Sequence, residues 1–354
     1  MSRFERVRMV IVTGLILAAL LPLAQPRAAM PAVADPIPAA TARAVVQRTV
    51  ELVEAEGLRP RSQEDYARAK ARLLAALYDA GEQVDRRTLF QHVDAMLRTL
   101  DVDGHSSIRS PSSERQVMQG VAAVRARAQV SSFALVPTAH GQVLHWTPPQ
   151  SVGGLDTEAP SFLQRFHADH AATAGAHQAC ALVVDLSAQL GGNAWPPFIA
   201  MHPLLSEANP AAWVDRDGKR TAFVKPPELR QMERVYGGPA DNPLQRFAGA
   251  PLAVVVDKRT ASAGEMLLVA LVGEGARTRT FGHTSFGATT ANVVRWLPDG
   301  SMLALTTSRY AIGDGPVIRG GIPPEVPARA DESASDTVRR AAEWAVQSSP
   351  MCRG

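Results

Sequence analysis

An apolar run at residues 251–256 is followed, after a short polar turn, by a second apolar run at residues 266–271. The first run is rich in valine and is typical of a strand buried in a parallel sheet, whereas the second run predicts a helix. Ser262 lies in the turn between them, within the sequence Thr-Ala-Ser-Ala-Gly-Glu of residues 260–265. The pattern therefore predicts a strand-turn-helix unit inside an α/β core.

Ser262 has two interpretations at this point. Serine is a favoured N-cap residue, so its side chain could serve only to start the helix. The same position also places a hydroxyl beside unpaired backbone N–H groups, which stabilise negative charge that develops on a substrate oxygen. The turn by itself does not distinguish a cap from a nucleophile.

The first 34 residues predict a signal peptide. Three arginines within residues 3–8 precede an apolar run at residues 10–24, and small residues stand just before Asp35. The apolar run is short for a membrane span. We therefore expect an exported protein, periplasmic or secreted, with no stable membrane span after cleavage. Cleavage after Ala29 and retention of the segment as an anchor are the alternatives.

The charge balance argues against a nucleic-acid partner. Removal of residues 1–34 takes away four arginines and one glutamate, which leaves 33 basic and 33 acidic residues. The formal net charge of +3 for the whole chain therefore belongs to the targeting segment. No cluster of lysine or arginine elsewhere suggests a phosphate-binding surface.

Cys180 and Cys352 are the only cysteines. In an exported protein they could form a disulfide that joins the C-terminal tail to the core. Cys180 also suits a small, buried, apolar position at the start of a strand. The sequence leaves both interpretations open.

Hydrophobic periodicity divides the rest of the chain into three parts. Three amphipathic helical patterns predict an N-terminal helical domain at residues 35–103. Alternating strand and helix patterns predict an α/β core at residues 104–330, followed by a C-terminal helix and tail at residues 331–354. Within the core we expect a helix at residues 113–128, a strand at residues 180–186 and a hairpin turned at Asp299-Gly300. We interpret residues 206–249 as an irregular surface segment.

A serine nucleophile needs a base and a set of oxyanion donors, and two further segments supply these. Residues 185–193 place Gly191 and Gly192 after a strand end, where flexible backbone can direct N–H groups at a ligand. His105 lies in a polar loop between the helical region and the core. No histidine belongs to a motif such as His-Glu-x-x-His, so neither a metal nor another cofactor is indicated.

Together these segments resemble the tail-specific, or C-terminal processing, serine peptidases of peptidase family S41. The matching segments follow the family's order: Asp-Gly-His-Ser at 103–106, Asp-Leu at 185–186 with Gly-Gly-Asn at 191–193, the Ser262 turn, Phe-Gly at 286–287 and Gly-Ile-Pro-Pro-Glu at 321–325. The resemblance implies a crotonase-like (ClpP/crotonase) α/β core with an N-terminal helical domain. It also implies a peptide or an unfolded protein as substrate.

By this resemblance Ser262 is the nucleophile. The oxyanion hole consists of the N–H group of Ala263 and that of Gly191 or Gly192. The resemblance thus favours the nucleophile over the simple cap.

The identity of the base depends on the branch of the family. One branch uses a lysine that follows Phe-Gly, but Ala288 stands at that position here and no lysine follows Lys258. The other branch, similar to tricorn protease and to the retinoid-binding protein of the retina, uses a histidine near the start of the core. His105 corresponds to that histidine, and His283 is the alternative.

The chain departs from the family pattern at two places. Gly104 precedes His105, where the tricorn-like branch has a serine, so the group that orients the histidine is open; the candidates are Asp103, Asp314 and Glu325. Ser187 and Gln189 replace the usual arginine and asparagine of the strand-end motif. These departures support a second hypothesis, a catalytically inactive protein that binds a peptide or an apolar ligand on the same fold. The sequence does not predict an oligomeric state.

Overall fold

The computed structural model describes residues 35–78, 81–100, 105–113 and 132–353. The predicted signal peptide, the orienting candidate Asp103 and most of the helix expected at residues 113–128 lie outside the described residues.

A six-stranded sheet forms the centre of the described core. Its spatial order is β13 (Val326–Pro327), β10 (Thr278–Gly282), β9 (Leu252–Val256), β6 (Ala181–Asp185), β5 (Gly141–Trp146) and β4 (Phe133–Thr138). All neighbouring strands are parallel except β4 and β5, which form an antiparallel hairpin. Every residue of β6 and β9 is buried, as expected for central parallel strands. The strands predicted at residues 251–256 and 180–186 are confirmed.

Helices cover both faces of this sheet. One face packs against α4 (Leu155–Ala172), α5 (Trp195–Ala200) and α7 (Ala263–Val272), and the other against α8 (Ala334–Ser348). Alternate residues of β9 supply the two cores, since Val254 belongs to the first and Ala253 to the second. Complete burial of one large aliphatic side chain contributes about 1.5–3 kcal/mol, so the two layers together hold the central strands firmly.

A second sheet of the described core is antiparallel. Its order is β11 (Thr290–Trp296), β12 (Met302–Ile312), β7 (Ala211–Asp215) and β8 (Arg220–Ala222), with β3 (Ser107–Arg109) also paired to β12. The hairpin predicted at Asp299-Gly300 is confirmed as the turn between β11 and β12, and Ser301 N donates to Asp299 Oδ1 at 3.0 Å. Through its pairing with β12, β3 and the adjoining residues 105 and 106 are attached to this sheet.

The prediction that residues 206–249 form an irregular surface segment is wrong. The segment contains β7, β8 and the helix α6 (Pro226–Val235). The two strands have only five and three residues. These strands form because they pair with each other and because β7 pairs with the distant strand β12. No local periodicity in the sequence therefore predicts them.

Three helices occupy the N-terminal part: α1 (Ala39–Glu56), α2 (Gln63–Tyr78) and α3 (Arg86–Leu97). A short ribbon of β1 (Pro36–Pro38) and β2 (Gln83–Asp85) accompanies them. The helices share a hydrophobic core with Ile108, Leu303 and Leu305 of the second sheet and with Leu297 in the turn between β11 and β12. Within the described ranges, no helix combines the length and the apolar character that a membrane span requires.

Cys180 and Cys352 form a disulfide. The bond ties the tail after α8 to the residue that precedes β6, and Ser349 Oγ donates to Cys180 O at 2.6 Å beside it. Of the two interpretations of Cys180, the structure therefore selects the disulfide. The two cysteines are 172 positions apart in the sequence. A disulfide that closes so long a loop restricts the unfolded chain strongly and contributes on the order of 2–5 kcal/mol to the free energy of unfolding.

Candidate active site

The turns after β6 and β9 meet at one edge of the parallel sheet. The two strands are neighbours, with Asp185 opposite Val255. Leu186 N donates to Val255 O at 2.8 Å, and Thr260 Oγ1 donates to Leu186 O at 2.8 Å. These contacts hold the Ser262 turn against the turn of residues 186–193.

Ser262 has a strained backbone. Its φ of 52° and ψ of −109° make it the only non-glycine residue with positive φ among the described residues. Such a conformation costs about 1–3 kcal/mol and persists only where the surroundings enforce it. An ordinary N-cap residue has an extended backbone instead. The half-buried Ser262 thus sits directly before α7 in a conformation that a simple cap does not require.

The carboxylate of Glu265 supports this conformation. Its side chain is completely buried, and Oε2 accepts from Ser262 N at 3.0 Å. Oε1 accepts from Ser285 Oγ at 2.5 Å and from Gly287 N at 2.7 Å. Burial raises the pKa of Glu265 above its ordinary value, while the hydrogen bonds from Ser285, Gly287 and Ser262 act in the opposite direction. One side chain therefore joins the Ser262 turn to the loop of residues 285–287.

Gly191 and Gly192 lie in the left-handed region, with φ of 107° and 108°. A Cβ on Gly191 would stand 3.0 Å from Ser262 Cβ, and a Cβ on Gly192 would overlap Ser151 O at 2.2 Å. Both positions therefore require glycine. The close approach also shows that the predicted oxyanion residue Gly191 lies directly beside Ser262, with Ala263 at the first position of α7.

Asp185 anchors the start of the turn of residues 186–193, which contains Gly191 and Gly192 and is called the glycine turn below. Its Oδ1 accepts from Ser187 N at 2.9 Å, and its Oδ2 lies 2.9 Å from His145 Nε2. Burial raises the pKa of Asp185, but the hydrogen bonds from His145 and Ser187 outweigh burial and lower this pKa below its ordinary value. The ionised carboxylate therefore holds the backbone where it leaves β6.

His105 is half-buried and lies just before β3. Its Nδ1 is 2.5 Å from the hydroxyl oxygen of Thr290, and its carbonyl oxygen accepts from Asn292 Nδ2 at 2.9 Å. Thr290, the first residue of β11, is completely buried. A donated Nδ1–H bond to this hydroxyl leaves Nε2 as the proton-accepting nitrogen of a neutral imidazole.

The loop of residues 285–290 connects the two predicted catalytic residues. Glu265, which holds Ser262, binds this loop at Ser285 and Gly287. Thr290, three residues later, binds His105. Hydrogen bonds therefore link both Ser262, through Glu265, and His105 to the segment of residues 285–290, although more than 150 positions separate these two residues in the sequence.

The other sequence candidates contact groups other than Ser262 and His105. His283 Nδ1 is 3.3 Å from Asp257 Oδ2, and the His283 side chain is 41% exposed. Asp314 is exposed in the turn after β12. Glu325 is exposed at the β13 edge of the sheet, where its N–H donates to Thr280 Oγ1 at 2.8 Å. Among the described residues, the Thr290 hydroxyl lies at His105 Nδ1.

Sequence reasoning missed two groups of this site. Glu265 stands three residues after Ser262, a spacing that is typical of a helix capping box, so its contact with Ser262 N was detectable. Thr290 carries no comparable signal, since threonine is common in strands and its contact with His105 spans 185 positions. Over the described ranges, no group of three or more His, Cys, Asp or Glu side chains is arranged to hold a metal ion.

Comparisons with known proteins assign the core to a family. Residues 153–328 match the model of peptidase family S41. The core of this chain belongs to peptidase family S41. The matched stretch contains the glycine turn, Ser262 and Glu265, whereas His105 precedes it. Membership of this family supports a peptidase.

A nisin-resistance protein of Lactococcus lactis subsp. lactis is 36% identical to this chain over 132 residues. That match covers 36% of the chain and 39% of the relative, so the chain corresponds to about two fifths of the relative's length.

Two solved structures share the fold of the S41 core and the region before it. A lipoprotein from Streptococcus agalactiae has a TM-score of 0.63 and 18% identity, and the comparison covers 87% of this chain and 96% of that one. The photosystem II D1 C-terminal processing protease has a TM-score of 0.53 and 14% identity, with coverage of 88% and 98%. The α/β class with a crotonase-like core, expected from the sequence, is confirmed.

The substitution Glu265→Gln tests the support of the Ser262 turn in the S41 core. The amide presents only one oxygen, whereas N–H or O–H donors approach both carboxylate oxygens of Glu265. At least one buried donor loses its acceptor, which costs about 1–3 kcal/mol. Urea denaturation should show this loss in the free energy of unfolding.

Glu228→Gln is the matched control. Glu228 accepts from Lys225 N at 3.0 Å in the first turn of α6, but its carboxylate is exposed. An amide oxygen can keep that bond while the NH2 group faces water, so we expect little change. Equal losses in the two variants would contradict a special role for Glu265.

Proposed function

We propose that this chain is an exported serine peptidase in which Ser262 is the nucleophile and His105 is the base. The observation that carries the proposal is the strained conformation of Ser262, at the start of a buried helix and in contact distance of Gly191. Strain that neighbouring groups maintain at such a position is typical of a functional residue. The match to peptidase family S41 supports the same assignment.

In the proposed reaction, His105 Nε2 accepts the proton of Ser262 Oγ as this oxygen attacks a peptide carbonyl carbon. The carbonyl electrons move to the oxygen, which accepts hydrogen bonds from the N–H groups of Ala263 and of Gly191 or Gly192. Collapse of this intermediate breaks the C–N bond, and the leaving amine takes the proton from His105. Water then attacks the acyl ester by the same route and releases a carboxylic acid and free Ser262.

Thr290 is our proposed orienting group for His105, in preference to Asp314 and Glu325, whereas Asp103 lies outside the described residues. The distance of 2.5 Å between Nδ1 and the Thr290 hydroxyl supports it. A hydroxyl fixes the ring and its tautomer as a carboxylate does, but it adds no negative charge to stabilise the imidazolium.

Two exposed apolar side chains support a peptide as substrate. Leu190, next to Gly191, is 55% exposed, and Phe286, next to Gly287, is 64% exposed. Phe286 N donates to Thr260 O at 2.9 Å, so this residue is attached to the Ser262 turn. Apolar groups beside the reacting atoms suit substrate side chains. They would also suit the second candidate, a protein that binds a peptide or apolar ligand without cleaving it.

Export is supported by the disulfide between Cys180 and Cys352, because such bonds persist mainly in oxidising compartments. The apolar run after three arginines at the N-terminus supports it independently. We propose a periplasmic or secreted location after removal of residues 1–34.

Ser262→Ala should abolish covalent labelling by a fluorophosphonate and reduce hydrolysis of unfolded casein by more than about 10³-fold, because the attacking oxygen is lost. His105→Ala should cause a similar loss, whereas His283→Ala should keep most activity.

The wild-type rate should fall toward acidic pH, because an imidazole accepts a proton only while it is neutral. Binding of casein without turnover in the wild type would instead support the binding protein.

Thr290→Val tests the orienting hydroxyl, because valine keeps the shape of threonine and removes the oxygen. We expect kcat to fall about 2- to 10-fold, the equivalent of one hydrogen bond, with little change in KM. Thr289→Val is the matched control, since the neighbouring buried hydroxyl donates to the carbonyls of Ile318 and Gly320. A kcat that is unaffected by Thr290→Val would exclude this role.

The proposed processing can be measured by intact mass. Expression of the full chain with export should yield a protein that lacks residues 1–34, or residues 1–29 if cleavage follows Ala29. Its mass should increase by about two hydrogens on reduction, because one disulfide opens. An exported protein that retains Met1 would contradict signal-peptide cleavage.

A further inference from the structure

Gln189 is a buried amide at the centre of the glycine turn. Its side chain is 2% exposed, and Nε2 donates to Pro148 O at 2.7 Å and to Pro149 O at 3.1 Å. A single NH2 group therefore holds two successive carbonyls of the segment that follows β5. Burial of an amide costs free energy unless it is hydrogen-bonded, so these two bonds account for its presence in the core.

The backbone of Gln189 is bound on the opposite side. Its carbonyl oxygen accepts from Ala261 N at 2.9 Å, and its N–H donates to Leu186 O at 2.9 Å. Gln189 thereby joins the segments that follow three adjacent parallel strands, β5, β6 and β9. These segments carry Pro148, the glycine turn and Ser262.

The start of α7 packs tightly onto the same residue. A Cβ on Gly264 would stand 2.6 Å from Gln189 O and 2.8 Å from Gln189 Cβ. A Cβ on Gly191, two residues after Gln189, would stand 3.0 Å from Ser262 Cβ. We therefore expect a shift of Gln189 to change the position of Gly191 relative to Ser262.

We propose that Gln189 is a positioning residue, whose side-chain bonds to Pro148 and Pro149 hold the glycine amides where they meet the oxygen of a carbonyl attacked by Ser262. The inference rests on the proposed function. Oxyanion donors act at 2.7–3.1 Å, so a displacement of a few tenths of an ångström weakens them.

Gln189→Met tests this role, since methionine has a similar length and no N–H donor. The measurement is the rate of labelling by a fluorophosphonate at a temperature well below the unfolding midpoint of every variant. In this reaction Ser262 Oγ bonds to phosphorus, the P–F bond breaks, fluoride leaves and the hydroxyl proton passes to the base. The phosphoryl oxygen occupies the oxyanion position, so we expect labelling to slow by about 10- to 100-fold.

Asn242→Leu is the matched control for general loss of stability. Asn242 is also buried, and its Nδ2 donates to Ala200 O at 2.9 Å and to Glu233 Oε1 at 3.0 Å. This variant should also lower the unfolding midpoint, but its labelling rate should stay within about twofold of the wild type.

A second readout reports on the oxyanion site itself. The wild type should react faster with a fluorophosphonate that carries a P=O group than with its P=S analogue, because sulfur is larger and accepts hydrogen bonds poorly. In Gln189→Met the ratio of the two rates should move toward one. A loss of stability alone would slow labelling by both reagents equally and leave the ratio of the two rates unchanged.

The outcomes separate this inference from the proposed function. An unchanged rate and ratio in Gln189→Met, with the wild type labelled at Ser262, would overturn the inference alone. Equal losses of labelling in Gln189→Met and Asn242→Leu would overturn it as well. A wild type that is not labelled would overturn the proposed function and the inference with it.

Discussion

The parallel pairing of β6 with β9 is the constraint on which the candidate site depends. Parallel neighbours end at the same edge of a sheet, so the turns that follow them must lie side by side. Here the pairing continues beyond both strands, through Leu186 N on Val255 O and Thr260 Oγ1 on Leu186 O. Both strands are buried by helices on two faces, which leaves the turns little freedom to move apart.

Buried polar groups convert this packing into a defined arrangement of donors and acceptors. Glu265 maintains the positive φ of Ser262 and also binds the loop of residues 285–287. Gln189 binds the neighbouring turn from within the core. Each of these side chains costs free energy to bury, and each offsets that cost with two or three hydrogen bonds. Buried polar groups whose hydrogen bonds are satisfied favour one defined arrangement of the two turns.

The two sheets contribute different parts of the candidate site. The parallel sheet carries Ser262 and the glycine turn, whereas the antiparallel sheet carries Thr290 and, through the pairing of β3 with β12, the backbone next to His105. The match to peptidase family S41 covers the glycine turn, Ser262 and Thr290, and it begins after His105. The contact between Thr290 and His105 Nδ1 depends on the tertiary structure and not on any local sequence pattern.

Local signals were enough to predict the strand-turn-helix unit around Ser262, the strand before Gly191, the hairpin at Asp299-Gly300 and the α/β class. A buried strand, an apolar helix and a tight turn each leave a pattern within about ten neighbouring residues. Residues 206–249 were misjudged because β7 and β8 are short and owe their order to pairing with each other and with the distant β12. The resemblance to a family added roles for His105 and the glycines that no local pattern contains.

By itself, the sequence determined which segments are strands or helices where their periodicity is strong, and it marked the turn that holds the serine. Only the tertiary structure decided that the side chains of Glu265 and Gln189 are buried and hydrogen-bonded, that Thr290 contacts His105, and that Cys180 is bonded to Cys352. The physical reason is distance along the chain. A hydrogen bond or a disulfide between residues as far apart as 185 or 172 positions depends on how whole sheets and helices pack, and no short stretch of sequence records that packing.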